Sequence, residues 1–307
     1  MSSIVLYHSG KGSVDPKTNQ FYDPWRNHIW DTIEQIRLWN PSIPCYFIVD
    51  AYKNEIPDSF KFEKYSVEPI HSDSLSLTKE IEEMDWYFAH ESNPLWRRAF
   101  IRFFYIESLI KDKGLDSVFT FDNDVLVYCD LNLIGEKCKS LYQSTAITRA
   151  DKREMVCGMM WIKDVNAIQS INKEMIDIVK IKENNRLTEM ILLHKVWENK
   201  GNSVLANLPI WFMGDYSANN TELGGIFDPC TISQYMDGTH NGSPPKTIIA
   251  HHELGLHLAT SRYKIVCEND FVGRKFFSVL NTKTQTKHKI NSLHMHSKRM
   301  KEFMSNA

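Results

Sequence analysis

SVFTFDNDVLVY, residues 117–128, is an apolar run of the kind a folded chain buries, yet it carries two carboxylates, Asp122 and Asp124, at its centre. Alternate side chains of an extended segment share a face, so the run read as one central strand aims both acids the same way, with Asn123 between them. Two carboxylates that close repel, and either one takes up a proton or a cation settles between them. Oxygen donors suit Mg²⁺ or Mn²⁺, ions that keep open positions for phosphate oxygens. Ligands of open α/β sheets bind beyond the carboxyl ends of strands, which is where this pair falls. A DxD tripeptide also occurs in ordinary solvated turns. The apolar runs VFTF before it and VLVY after it set this one apart.

The flanking sequence supplies the sheet. SIVLYHS (3–9) reads as a first strand, and Gly10 and Gly12 provide a turn. Trp25, Ile29, Ile33, Ile36 and Trp39 then recur at helical spacing until Asn40 and Pro41 end the pattern. CYFIVD (45–50) follows as a short apolar strand closed by an acid. Strand, helix, strand is the opening of a parallel α/β sheet. The polar stretch 51–94 offers a strand around KYSVEPI and a helix near LTKEIEEMDWYF. From Leu95 to Ile110 the apolar residues keep to one broad helical face, leaving Arg98, Arg102 and Glu107 off it, and Gly114 ends the helix. STAITRA (144–150) and VCGMMWIK (156–163) read as strands, VNAIQSINKEMIDIVKIK (165–182) as a helix opened near Asp164, and LTEMILLHKVWENKG (187–201) as a helix closed by Gly201. After Ala206 turns are expected to dominate in LPIWFMGDY (208–216) and in GGIFDPCTISQYMDGTHNGSPP (224–245). No repeat, low-complexity tract or linker divides the chain, so one domain is expected.

The totals narrow the function. Of 307 residues 42% are hydrophobic, 24% charged and 12% aromatic, the profile of a globular protein. Lys and Arg number 36 against 38 Asp and Glu, a net charge of −2 without long blocks of either sign, which argues against a nucleic-acid partner. The N-terminus lacks the basic and long apolar regions of a signal peptide, and no apolar run is long enough to span a bilayer, so a soluble cytoplasmic protein is expected. Six cysteines at 45, 129, 138, 157, 230 and 267 include no CxxC pair, and reduced thiols are expected instead of a zinc cluster or disulfides. HHELGLH (251–257) resembles a zinc-protease signature, but that chemistry needs two His four apart on a helix; position 256 is Leu, and the second His falls at 257.

VFTFDNDVLVY, preceded by WRRAFIRFFYIESLIKDKG, resembles the core of GT-A glycosyltransferases, in which a DxD motif holds Mn²⁺ under the diphosphate of a nucleotide-sugar. Further pieces follow in that family's order. CGMMWI (157–162) is similar to its "sGvmlin" strand, LTEMILLH (187–194) to its "DQ…LN" helix, LPIWFM (208–213) to its "LP…yN" segment, and SLHMHSK (292–298) to the C-terminal His…Lys element of the glycogenin and lipooligosaccharide galactosyltransferase group. GGIFDPCTISQYMDGTHNG (224–242) resembles the "GGiFDpa…gqYlgGt" stretch of a bacterial and viral subset. Glu189-Met190 stands where the family carries Asp-Gln, and the C-terminal element lacks the Gly and Pro-Trp of the retaining families, so no anomeric outcome is implied.

The resemblance implies a GT-A, Rossmann-like α/β fold with a mixed, mostly parallel sheet flanked by helices. About 1–165 would form the nucleotide-sugar-binding half, and about 166–307 the acceptor-binding half with a C-terminal metal and phosphate element. It implies Mn²⁺ or Mg²⁺ as cofactor, a UDP-linked sugar as donor and a glycan hydroxyl as acceptor. Tyr7 and His8 of the first strand would meet the nucleotide, Arg102 the donor sugar and phosphates, and Glu189 the anomeric carbon. If LHMHSK is extended, His294 and His296 share a face, and a neutral imidazole could complete a metal shell begun by the acids. His296 is favoured for its closeness to Lys298, with His294 as the alternative, and Lys298 could meet a phosphate oxygen as a point charge. Asp228, before Pro229, is a turn former, an acceptor ligand or the general base of an inverting transferase, and Asp215 is a second candidate. Gln234, Tyr235 and Asp237 offer surface suited to a sugar ring, Gly238 and Gly242 would let a loop approach it, and Trp211 either stacks on acceptor or belongs to the core. A metal-dependent nucleotidyltransferase or phosphohydrolase also sets acids at strand ends, and is the alternative.

Overall fold

Ile4, Val5 and Leu6 are all fully buried, which marks a strand covered on both faces. In the computed structural model, which describes residues 1–9, 27–50, 59–77, 81, 94–151, 153–181, 187–211, 222–238 and 262–305, that strand is β1 (Ser3–Ser9). In chain order follow α1 (Asn27–Trp39), β2 (Cys45–Asp50), α2 (Ser59–Lys64), β3 (Glu68–His71), α3 (Pro94–Lys113), β4 (Val118–Thr120), β5 (Val125–Val127), α4 (Leu131–Leu141), β6 (Thr145–Arg149), β7 (Met155–Ile162), α5 (Val165–Lys180) and α6 (Glu189–Lys200). The chain continues through β8 (Leu205–Asn207), β9 (Ile226–Phe227), α7 (Thr231–Asp237), β10 (Tyr263–Asn269), β11 (Lys275–Asn281) and β12 (Lys287–His294).

Seven strands form one sheet in the order β3-β2-β1-β4-β7-β6-β8. All run parallel except β7, which is antiparallel to both of its neighbours. The strand-helix-strand opening pointed to a parallel α/β sheet, and the mixed, mostly parallel, helix-flanked form is the one the resemblance implied. Alternate residues of β1 feed two cores. Ile4 and Leu6 pack with Ile29, Ile33 and Ile36 of α1 and Ile134 of α4, whereas Val5 packs with Phe100 and Phe103 of α3, Ile171 of α5 and Leu192 of α6. Among the described residues, no helix is long and apolar enough to cross a membrane. The polar helix expected near 77–88 falls almost wholly outside the described residues, as do Gly10, Gly12, Gly242 and the HHELGLH stretch.

Two expectations are corrected. SVFTFDNDVLVY is not one strand: β4 pairs with β1 and β7 in the seven-stranded sheet, whereas β5 pairs with β12 in a second sheet ordered β10-β11-β12-β5. Phe121–Asp124 is the crossing between the sheets; Phe119 and Phe121 before it share one core with Val125 and Val127 after it, while Val118 and Leu126 feed separate clusters. GGIFDPCTISQYMDGTHNGSPP is likewise more than turns, since its described residues hold β9 and α7. Beyond it β10, β11 and β12 join β5 in the second sheet, and Leu126, Tyr128, Phe277, Val279, Ile290 and Leu293 build a third apolar cluster.

Candidate metal and phosphate site

Asp122 stays with the first sheet, its N–H donating to Cys157 O of β7 at 2.9 Å. Asp124 belongs to the second, its carbonyl accepting from Met295 N at 2.7 Å. The two acids thus face each other across a turn at the carboxyl ends of β1 and β4, not along one strand as expected. His294 closes the group from the end of β12. Its Nε2 lies 3.3 Å from Asp124 Oδ1 and 3.6 Å from Asp122 Oδ2, and one donor atom from each of the three residues lies within 4.8 Å of the others. On the far side of the ring Nδ1 is 3.3 Å from Pro229 O. A carbonyl only accepts, so Nδ1 donates and Nε2 is the nitrogen turned to the carboxylates. Gly158 makes room for this ring, since a Cβ there would lie 3.2 Å from His294 Nδ1 and 2.8 Å from Asp228 O.

Of the two histidines, the structure brings His294 and not His296 into the group with the acids. β12 ends at His294 and the chain turns, with Lys298 N donating to Met295 O at 3.0 Å, so the alternation needed to put both imidazoles on one face stops. Lys298 donates from Nζ to Asp124 Oδ2 and holds a φ of +64°, a left-handed conformation that side chains other than Gly seldom adopt. Burial alone would raise the Asp124 carboxyl, but Lys298 and His294 outweigh it and hold the group well below the usual carboxylate range. Burial disfavours a charged His294, but Asp124 and Asp122 overcome that and push it up to about 9. Two carboxylates and a backbone-oriented imidazole are a donor set that fits Mn²⁺ or Mg²⁺, with Mn²⁺ the better match for nitrogen. His294 would have to release its proton to ligate.

Arg102 of α3 donates from Nη1 to Asp122 Oδ1, and its Nη2 is 3.8 Å from Glu189 Oε1. Glu189 is buried at the start of α6, and its Oε2 has no hydrogen-bond partner among the described residues. Burial pushes this carboxyl up to about 7; Arg102 opposes the shift and Asp122 adds to it. The rim at β1 is tied to the acidic turn, because Asn123 Nδ2 donates to Tyr7 O at 2.9 Å and lies 3.4 Å from His8 Nδ1. Tyr7 OH in turn donates to Asp50 Oδ2 at 3.0 Å, while Ser72 Oγ donates to Asp50 Oδ1 at 3.1 Å. Asp50 was not among the expected site residues. Its signal was the acid that closes the apolar run CYFIVD beside β1.

The expected acceptor and base residues are placed differently. Asp228 is fully buried: Oδ1 accepts from Cys230 N at 3.0 Å and Ile232 N at 2.9 Å, and Oδ2 accepts from Ser233 N at 3.0 Å and His294 N at 3.4 Å. A carboxylate so occupied is a brace for α7 and β12, not a base waiting for a hydroxyl. Asp237 is turned inward to Arg299 and Ser297 and is not presented to a sugar. Trp211 takes the core reading, meeting the Tyr263 ring edge-on at 4.7 Å. Tyr235 leans on the same cluster. Gln234 is buried, and its Oε1 has no partner among the described residues. Gly238, at φ +75°, closes α7. Asp215 lies outside the described residues.

No protein-family model matches the chain. No curated protein matches it either. Among solved structures, xyloside xylosyltransferase 1 from mouse in its apo form is similar at 9% identity and a TM-score of 0.48, over 68% of this chain and 86% of that one. The glycosyltransferase GlyE of Streptococcus pneumoniae TIGR4 is similar at 16% identity and a TM-score of 0.41, over 68% of this chain and 45% of that one. The CTP:phosphocholine cytidylyltransferase LicC of Streptococcus pneumoniae reaches 11% identity and a TM-score of 0.35, over 67% of this chain and 90% of that one. Likenesses this distant bear on neither activity nor substrate, and the chemistry of this chain rests on its own residues.

Proposed function

We propose that this chain is a metal-dependent glycosyltransferase, moving a hexosyl or pentosyl group from a UDP-linked sugar to a hydroxyl of a glycan. The observation that carries this reading is the convergence of Asp122, Asp124 and His294, from the ends of three strands in two sheets, at the carboxyl edge of β1 and β4. A divalent cation held there would supply electrostatic stabilisation of a departing diphosphate. Lys298, now on Asp124, and Arg102, now on Asp122, are the cations this chain brings to the same charge. Tyr7 and His8, tethered through Asn123, would border the nucleotide. Glu189, buried beside Arg102 with one oxygen unpaired, is the acid we assign to the sugar carbon.

Incubation with a panel of UDP-sugars and Mn²⁺ tests the proposal. UDP together with free or transferred sugar supports it. Sugar 1-phosphate together with UMP would instead establish cleavage between phosphates, the nucleotidyltransferase or phosphohydrolase chemistry.

A further inference from the structure

Helix α7 is short, yet buried carboxylates mark both of its ends, Asp228 just before it and Asp237 as its last residue. The first end grips His294: Asp228 Oδ2 accepts from His294 N, Pro229 O accepts from the ring, and Ser233 Oγ donates to His294 O. The second end grips the turn that carries Lys298. Asp237 Oδ2 accepts from Ser297 Oγ and, at 3.0 Å, from Arg299 Nε; Oδ1 accepts from Arg299 Nη2, which also reaches Asp237 O at 3.2 Å. Ser297 and Arg299 are the two chain neighbours of Lys298, and Lys298 is the residue held at φ +64°. A left-handed lysine persists only where its surroundings over-determine it. A forked guanidinium on a buried carboxylate is the kind of contact that does so.

We propose that Asp237 and Arg299 are positioning residues that hold Lys298 against Asp124, so that α7 sets the two donors of the C-terminal element, His294 and Lys298, on either side of one carboxylate. The stretch GGIFDPCTISQYMDG thereby acts through the metal and phosphate site and not as a sugar platform. The clamp itself stands on the contacts just described; its consequence for diphosphate binding rests on the functional reading above.

Two measurements test it. In metal-free protein, limiting acetic anhydride labels lysines according to their freedom, and mass spectrometry reads Lys298 against the exposed Lys301. Asp237→Ala is expected to raise the labelling rate of Lys298 about fivefold while leaving Lys301 unchanged. Arg299→Ala, a change at a half-exposed side chain, should do the same where the buried substitution impairs folding. Arg299→Lys, which keeps the charge and loses the fork, should fall between. Calorimetry then separates the roles: both alanine variants keep wild-type affinity for Mn²⁺ alone, or gain some, and bind Mn²⁺ with UDP about tenfold more weakly. Unchanged Lys298 labelling in both variants, or Lys298 and Lys301 rising together, would overturn the clamp. A wild-type protein that binds no Mn²⁺ with UDP would overturn the functional reading, and the labelling would still decide the clamp.

Discussion

The Asp122, Asp124 and His294 side chains make the sharpest demands on single residues. Asp124→Ala removes a donor buried to within 4% of full exclusion, frees Lys298 of its carboxylate and leaves His294 facing Asp122 alone, so Mn²⁺ affinity should drop by at least 100-fold in calorimetry. His294→Ala should cost more than His296→Ala, whose imidazole lies outside the group. Glu189 sets a pH signature of its own. Its folded value of about 7 lies above its ordinary 4.5, so the folded protein holds a proton that the unfolded chain has released. Stability should therefore fall as pH rises from about 4.5 to about 7, by about 3 kcal/mol at 1.36 kcal/mol per unit. Glu189→Gln should flatten that slope in denaturant melts of metal-free protein. A variant with the wild-type slope would show that the shift lies elsewhere. At Gly158 a methyl group would press on the Asp228 carbonyl and the His294 ring, so Gly158→Ala should destabilise by about 1 to 3 kcal/mol and weaken Mn²⁺ binding with it.

At the scale of elements, the braces around α7 make a separable prediction. Asp228→Ala strips the acceptor from the backbone N–H groups of Cys230, Ile232, Ser233 and His294, all inside the fold, and about 3 kcal/mol of unfolding free energy should go with them in urea melts. A loss under 1 kcal/mol would mean that water reaches this turn. The same elements show what local sequence can and cannot tell. α1 and α5 were legible because their apolar residues repeat with the helical period, and Asp164 opens α5 and Gly201 closes α6 as their residue types led one to expect. The acidic pair was legible as chemistry but not as geometry. Nothing in VFTFDNDVLVY says that its two halves pair with residues 40 to 169 positions away in different sheets. The choice of His294 over His296 was hidden for a related reason: β12 stops where Asp237 draws Ser297 and Arg299 aside, a contact between residues about 60 positions apart. The roles of Asp228 and Trp211 turned on burial, which residue type alone leaves open.

Across the whole molecule, the site is a seam. One acid is fixed to the seven-stranded sheet through Cys157, the other acid and the imidazole to the second sheet, and only Asn123 separates the acids in sequence. A cation bound by all three would tie the sheets together, so Mn²⁺ should stabilise the fold by about 2.7 kcal/mol at a concentration of 100 Kd, reversed by EDTA and abolished in Asp124→Ala. The sheet topology puts this seam at the carboxyl ends of parallel strands, beside Tyr7, His8 and Asp50, where an α/β sheet offers room for a ligand. Calorimetric titration of UDP-sugars into the protein with Mn²⁺, and again with EDTA, shows whether that seam holds a sugar nucleotide. At least one UDP-sugar should bind, with Mn²⁺ strengthening the binding by tenfold or more and Asp124→Ala removing it. Folded protein that takes up no sugar nucleotide, or takes it up equally well with EDTA, would contradict it.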